Sequence, residues 1–169
     1  MKIKKYTTLL VLWLGFTAQV SAEKIQFELS IEIPKINASE YHAPYLATWI
    51  ETADRQTVLA TSLWYDDQEK WLKDIRQWWR KTGRTQAKPY DGVTGATRRP
   101  GMHKLVLKSQ DIAESLETGE YVMMVEAARE VGGREVLSLP FSWPVKEDTA
   151  VKAQGEKELG SVTLIIKHL

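Results

Sequence analysis

One short segment concentrates side chains suited to chemistry. Asp91-Gly92-Val93-Thr94-Gly95-Ala96-Thr97 sets a carboxylate and two hydroxyls around a pair of small residues. Asp91 and Thr94 can hydrogen-bond the nearby backbone and shape a turn. Gly95 and Ala96 keep the chain slim beside the Thr97 hydroxyl. Arg98 and Arg99 follow directly. Elsewhere the polar candidates are dispersed. His42, His103 and His168 share no ligand spacing, so no metal site is expected. No strained nucleophile turn accompanies the Ser and Asp residues, and no catalytic residue is assigned. Met123 and Met124 are adjacent, face opposite sides of a strand and read as filling residues. Glu126 lies within the apolar run 121–128; facing inward it needs an Arg or a backbone donor, and a structural ion pair is the expectation.

The elements that must position this segment follow from periodicity. Every odd position from Ile25 to Ile33 is apolar and every even one polar, the mark of a strand with one wet face. Strands are expected again at 45–51 and 57–65, joined by a turn at Ala53-Asp54-Arg55. A helix is expected over 67–81, opened by the capping-box spacing of Asp66 and Glu69 and closed by Gly83. Trp71, Leu72, Ile75, Trp78 and Trp79 fall along one side of it. From 82 to 101, two Pro and four Gly among small polar residues leave a long loop that holds the chemical segment. Strands return at 102–108, 121–129, 134–141 and 160–167, with Gly132-Gly133 turning the middle pair into a hairpin. The charged stretch 147–158 reads as an exposed excursion. Seven strands and one inserted amphipathic helix predict a mainly β fold, an antiparallel β-sandwich of the immunoglobulin or fibronectin type III kind, with the helix over one edge or end.

Composition sets the compartment and excludes several chemistries. The chain of 169 residues fits one domain. Met1-Lys2-Ile3-Lys4-Lys5, an apolar run at 9–16 and Val20-Ser21-Ala22 form a basic head, an apolar middle and a small-residue cut site. Residues 1–22 are therefore read as a secretory signal peptide, leaving a single domain over 23–169 with no membrane span and a periplasmic destination. The mature chain keeps 20 of the 23 basic residues against 22 acidic ones, so no nucleic-acid partner is expected. Cysteine is absent, which excludes disulfides, iron–sulfur clusters and thioether-linked haem.

The segment 91–97 resembles the acceptor sequence of bacterial flavin transferases: Asp, two free positions, Ser or Thr, Gly, Ala, then Ser or Thr. Asp91, Thr94, Gly95, Ala96 and Thr97 all match. The resemblance implies that a flavin transferase moves the FMN part of FAD onto the last hydroxyl, leaving FMN as a covalent phosphoester on Thr97. A slim loop suits entry into the active site of another enzyme. Arg98 would then stand near the phosphoester charge, and Trp78 and Trp79 are candidates to stack on the flavin ring; for Trp71 a core role is preferred. A wider stretch is similar to the family of predicted periplasmic proteins called DUF2271. It comprises Pro44-Tyr45, Trp49, Leu63-Trp64-Tyr65, the Trp-rich helix, the acceptor segment, Pro100-Gly101 and Val125-Glu126-Ala127-Ala128-Arg129-Glu130. That family is associated with flavin transferases and with PepSY-domain membrane reductases. The implied role is an electron carrier in an extracytoplasmic redox chain.

Two competing functions fit the same residues. An exported sandwich with exposed Trp could be a binding module for a carbohydrate or protein. It could also be an assembly subunit of a membrane reductase without a cofactor. Covalent FMN on Thr97 separates the redox carrier from both.

Overall fold

The computed structural model describes residues 24–66, 68–85 and 93–169, so the expected signal peptide and Asp91 lie outside the described residues. The fold is mainly β, with two packed sheets. In order the strands are β1 (Ile25–Ile33), β2 (Tyr45–Thr52), β3 (Thr57–Trp64), β4 (Thr94–Gly95), β5 (Gly101–Val106), β6 (Gly119–Ala128), β7 (Arg134–Trp143), β8 (Thr149–Gln154) and β9 (Ser161–His168). One sheet runs β5-β1-β9-β8 and the other β4-β3-β2-β6-β7.

The alternation of β1 puts Phe27, Leu29, Ile31 and Ile33 in the core, facing Leu46, Ile50, Met123 and Val125 of the second sheet. Leu29 sits opposite Leu105 on β5 and Leu164 on β9, which sets the register on both sides. Strand β2 breaks the alternating rule, since every residue from Tyr45 to Glu51 is buried. The second sheet is covered on both faces, and strands so placed read as nearly continuous apolar runs.

The cover is the helical segment 69–83, which lies across the outer face of the second sheet and not at an edge or end of the sandwich. Leu72, Ile75 and Trp78 pack on Ala47, Trp49, Leu63, Met124 and Ala128. Met123 faces the central core and Met124 this outer layer, as their adjacency requires.

The segment is also not the regular helix expected over 67–81. It comprises a 3-10 stretch (Glu69–Asp74), one α turn, α1 (Arg76–Trp78), and a π turn (Trp79–Gly83), with Ile75 in a non-helical conformation between the first two. The expected capping box does not form. Asp66 accepts from the Tyr45 hydroxyl and from Gln68 N, and the N-cap position of the 3-10 stretch is Gln68, which makes no side-chain cap bond. In a continuous α-helix the N–H groups of Gln77 and Trp78 would donate to the carbonyls of residues 73 and 74. They donate instead to Glu126 on β6, at 3.0 and 2.7 Å. Gly83 follows from the π turn's packing, because a Cβ there would meet the rings of Trp78 and Trp79 at 2.6 and 2.7 Å.

Two buried carboxylates fasten this layer. Glu126, fully buried, takes both N–H groups and the Arg134 guanidinium. Glu51 takes the Trp49 indole at 2.7 Å and Lys81 at 3.0 Å. Buried carboxylates are retained only with such partners, so the expectation of a paired Glu126 holds.

Two further strands and a helix were not expected. The loop 82–101 contains β4, which pairs in parallel with β3. The charged stretch 147–158 carries β8 at the edge of the first sheet, paired along its length with β9. Its alternation pairs exposed with half-buried residues, so the apolar signal is faint. A helix, α2 (Ser109–Ser115), follows β5 and closes one end of the core with Ile112. The hairpins at Arg55 and at Gly132-Gly133 form where the turn residues place them. At the second, the left-handed residue is Val131 (φ 52°). Gly132 and Gly133 are small because a Cβ on either would strike the Arg129–Glu158 ion pair.

Candidate functional site

The acceptor segment is attached to the edge of the second sheet. Leu63 N donates to the Val93 carbonyl (2.8 Å) and Tyr65 N to the Gly95 carbonyl (3.0 Å). In this short parallel ladder Thr94 is opposite Leu63 and Gly95 opposite Trp64. Exposure then alternates. Thr94, Ala96 and Arg98 are exposed, whereas Gly95 and Thr97 are half-buried. Gly95 is not demanded by the fold, because a Cβ there would lie 3.5 Å from Trp64 Cδ1, an ordinary contact.

Thr97 lines a small hollow of about 80 Å³ with His42, Tyr45, Asp66, Trp71, Asp74 and Glu130. Tyr45 forms part of its wall, its hydroxyl held by Asp66 and the Gln68 carbonyl. His42 lies between Glu40 (3.2 Å) and Glu130 (3.8 Å). Trp71, Asp74, Ala128 and Glu130 also line a wider, open groove of about 660 Å³ that continues to Arg76, Arg134 and the β6–β7 hairpin. That volume is within the range of small-molecule sites. The hollow and the groove share these four wall residues and lie side by side along the seam between the helical segment and β6. The Thr97 end is acidic and the hairpin end basic.

The remaining candidates lie elsewhere. The Arg98 guanidinium sits 5.4 Å above the Trp64 ring, at the mouth of the central core, and is not among the residues lining the Thr97 hollow. His103 meets the same ring edge-on at 5.8 Å and bonds the Arg99 carbonyl at 2.7 Å. Trp78 is fully buried against the sheet. Trp79 is half-buried and lines a further hollow with Lys73, Arg76, Arg80 and Arg134, which borders the groove at Arg76 and Arg134 but does not include Thr97. The structure therefore brings Thr97 to Trp71, the residue whose sequence position suggested core packing, and not to Trp78 or Trp79. Trp71 and Asp74, three apart in the 3-10 stretch, share a face, and that spacing was the available signal for Asp74. Among the described residues no group of three His, Asp or Glu side chains is arranged to hold a metal ion.

The hairpin end of the groove is rigidly built. Glu158 takes Arg129 through two bonds, 2.9 and 3.2 Å, and Gly133 N at 2.6 Å. Glu135 accepts from the backbone N–H groups of residues 156–159 at 2.7–3.0 Å. Burial acts to raise the Glu135 carboxyl, but these four donors prevail and hold it below its ordinary value. Beside them, burial pushes the Tyr41 hydroxyl up against the opposing pull of Arg129.

The family model of DUF2271, described as a predicted periplasmic protein, matches residues 26–161. The chain belongs to this family. The matched span includes the second sheet, the helical segment, the acceptor segment and every residue of the hollow and groove, and in the first sheet it stops at the start of β9. Of the residues that carried the family resemblance, Glu126 fastens the helical layer and Arg129 fastens the 155–160 turn, so both have structural work independent of any ligand. Comparisons with curated proteins and with solved structures give no match. Among the described residues, no helix is long and apolar enough to cross a membrane.

Proposed function

We propose that this DUF2271 protein carries FMN covalently on Thr97 and serves as an extracytoplasmic electron carrier, with a PepSY-type membrane reductase as a fitting partner. The observation that carries the reading is the agreement of motif and geometry. The last residue of the five-position acceptor sequence lines a small hollow with Trp71 and Tyr45, and Trp71 also lines the neighbouring groove of ligand size. Gly95 adds support, since the folded chain has room for a larger residue there and the restriction then belongs to another enzyme's active site.

In the attachment step the Thr97 oxygen bonds to the FMN phosphorus of FAD, the pyrophosphate bond breaks and AMP leaves. The hydroxyl proton passes to a base of the transferase. The phosphodiester keeps one negative charge. Arg99, exposed two residues on, is near it in sequence, while Arg98 is engaged over Trp64. Bound FMN would supply reversible one- or two-electron transfer. This chain's residues would hold the group at Thr97, limit its water contact along Trp71 and Tyr45, and present the basic hairpin end to it.

Attachment is tested by co-expressing the chain with an active flavin transferase and FAD. The expected product is yellow after acid precipitation and heavier by one FMN residue, and Thr97→Ala abolishes both signals. An unmodified wild-type chain under those conditions refutes the reading and favours a binding or assembly module.

A further inference from the structure

We infer that the groove from Thr97 across Trp71 to Arg76 is the docking site of the flavin's isoalloxazine ring, an inference that rests on the proposed attachment to Thr97. Thr97 and Trp71 line one hollow, and Trp71 and Arg76 line the groove beside it. A group tethered at Thr97 therefore has the Trp71 side chain on the wall of the same hollow. The indole is fixed by a bond from its Nε1 to Gln68 Oε1 at 3.2 Å. The exposed Lys70 ammonium lies over the ring, 4.9 Å from its centre. A flexible, hydrated cation is readily displaced, and a flat heteroaromatic ring makes a larger contact on the same face.

The wide end of the groove displays an apolar residue. The hairpin turn needs a left-handed residue there, and that residue is the β-branched Val131 (φ 52°), 83% exposed on the groove wall. A strained residue that displays an apolar group at a concave surface points to a contact made there. Arg134 is engaged by Glu126. Arg76 also lines the groove and can donate to the ring's carbonyl oxygens.

The test uses the full mature chain loaded by co-expression, with attachment verified by intact mass before the flavin is probed. Flavin fluorescence and its anisotropy are compared for wild type, Trp71→Ala, Trp71→Phe and Trp79→Phe. A stacked indole quenches the flavin, so the wild-type protein should be several-fold dimmer than free FMN and should tumble as one body. Trp71→Ala should recover several-fold brightness and lose anisotropy. Trp71→Phe, which keeps a ring and the fold, should fall between, and Trp79→Phe should match wild type. Equal brightness and mobility in wild type and both Trp71 variants, at full loading, overturns the docking site and leaves attachment standing. A wild-type chain that gains no mass removes the attachment and the docking together.

Discussion

Replacing Glu126 by Ala should detach the helical layer from the second sheet. The carboxylate is fully buried and accepts from Gln77 N, Trp78 N and Arg134 Nε. Its loss strands two backbone donors beneath Trp78, while the Arg134 guanidinium, on an exposed residue, returns to water. Each donor left unsatisfied costs about 1–3 kcal/mol, so the pair costs about 2–6 kcal/mol, a large share of the roughly 5–15 kcal/mol that holds a domain folded. With a urea dependence of about 2 kcal/mol per molar, the midpoint should fall by about 1–3 M. Glu126→Gln keeps the shape and one acceptor oxygen and should lose less, about 2 kcal/mol. The assay is urea unfolding of the mature chain followed by Trp fluorescence and far-ultraviolet circular dichroism. Because Trp71, Trp78 and Trp79 all lie in the affected layer, the fluorescence transition of Glu126→Ala should precede the β-sheet transition. A loss below about 1 kcal/mol for Ala, the range of an ordinary substitution, would refute the claim that this carboxylate holds the layer.

Two other perturbations separate folding from the acceptor role and test acid sensitivity. Gly95→Ala introduces a Cβ at 3.5 Å from Trp64 without strain, so its urea midpoint should correspond to within about 1 kcal/mol of wild type. Its FMN loading, read by intact mass, should nevertheless fall sharply, and unchanged loading would count against the acceptor reading. The Glu135 carboxyl is held below its ordinary value of 4.5 by four backbone donors. It therefore stabilises the fold fully above that value, and the contribution is lost as pH falls through the lowered folded-state value. Melting temperature should decline as the solution is acidified below about pH 4.5, and Glu135→Gln should flatten that decline; an identical acid profile in the variant would show that the 156–159 turn does not depend on the ionised carboxylate.

Much of this fold can be read along the chain because its causes are local. The odd–even pattern of Ile25–Ile33 allows only one face of β1 to be buried. The turn residues at 53–55 and 132–133 mark both hairpins. The acceptor segment, too, is a linear pattern and needs no fold to be noticed. The inner structure of the helical segment was not legible. Asp66 and Glu69 have the spacing of a cap, but the local Gln68 N and the Tyr45 hydroxyl, the latter brought close by tertiary packing, take the Asp66 carboxylate first. The restart of the helix at Arg76 depends on Glu126, which is 48 residues from Trp78 in the chain. The wall of the candidate site was hidden for the same reason. Helical periodicity puts Trp71, Trp78 and Trp79 along one side, but which of them borders Thr97 is decided by the crossing of a helical layer over the sheet. Local spacing records what a residue can do next to its neighbours. Which distant partner claims a carboxylate or an indole is a competition among burial, charge and geometry that only the assembled layers resolve.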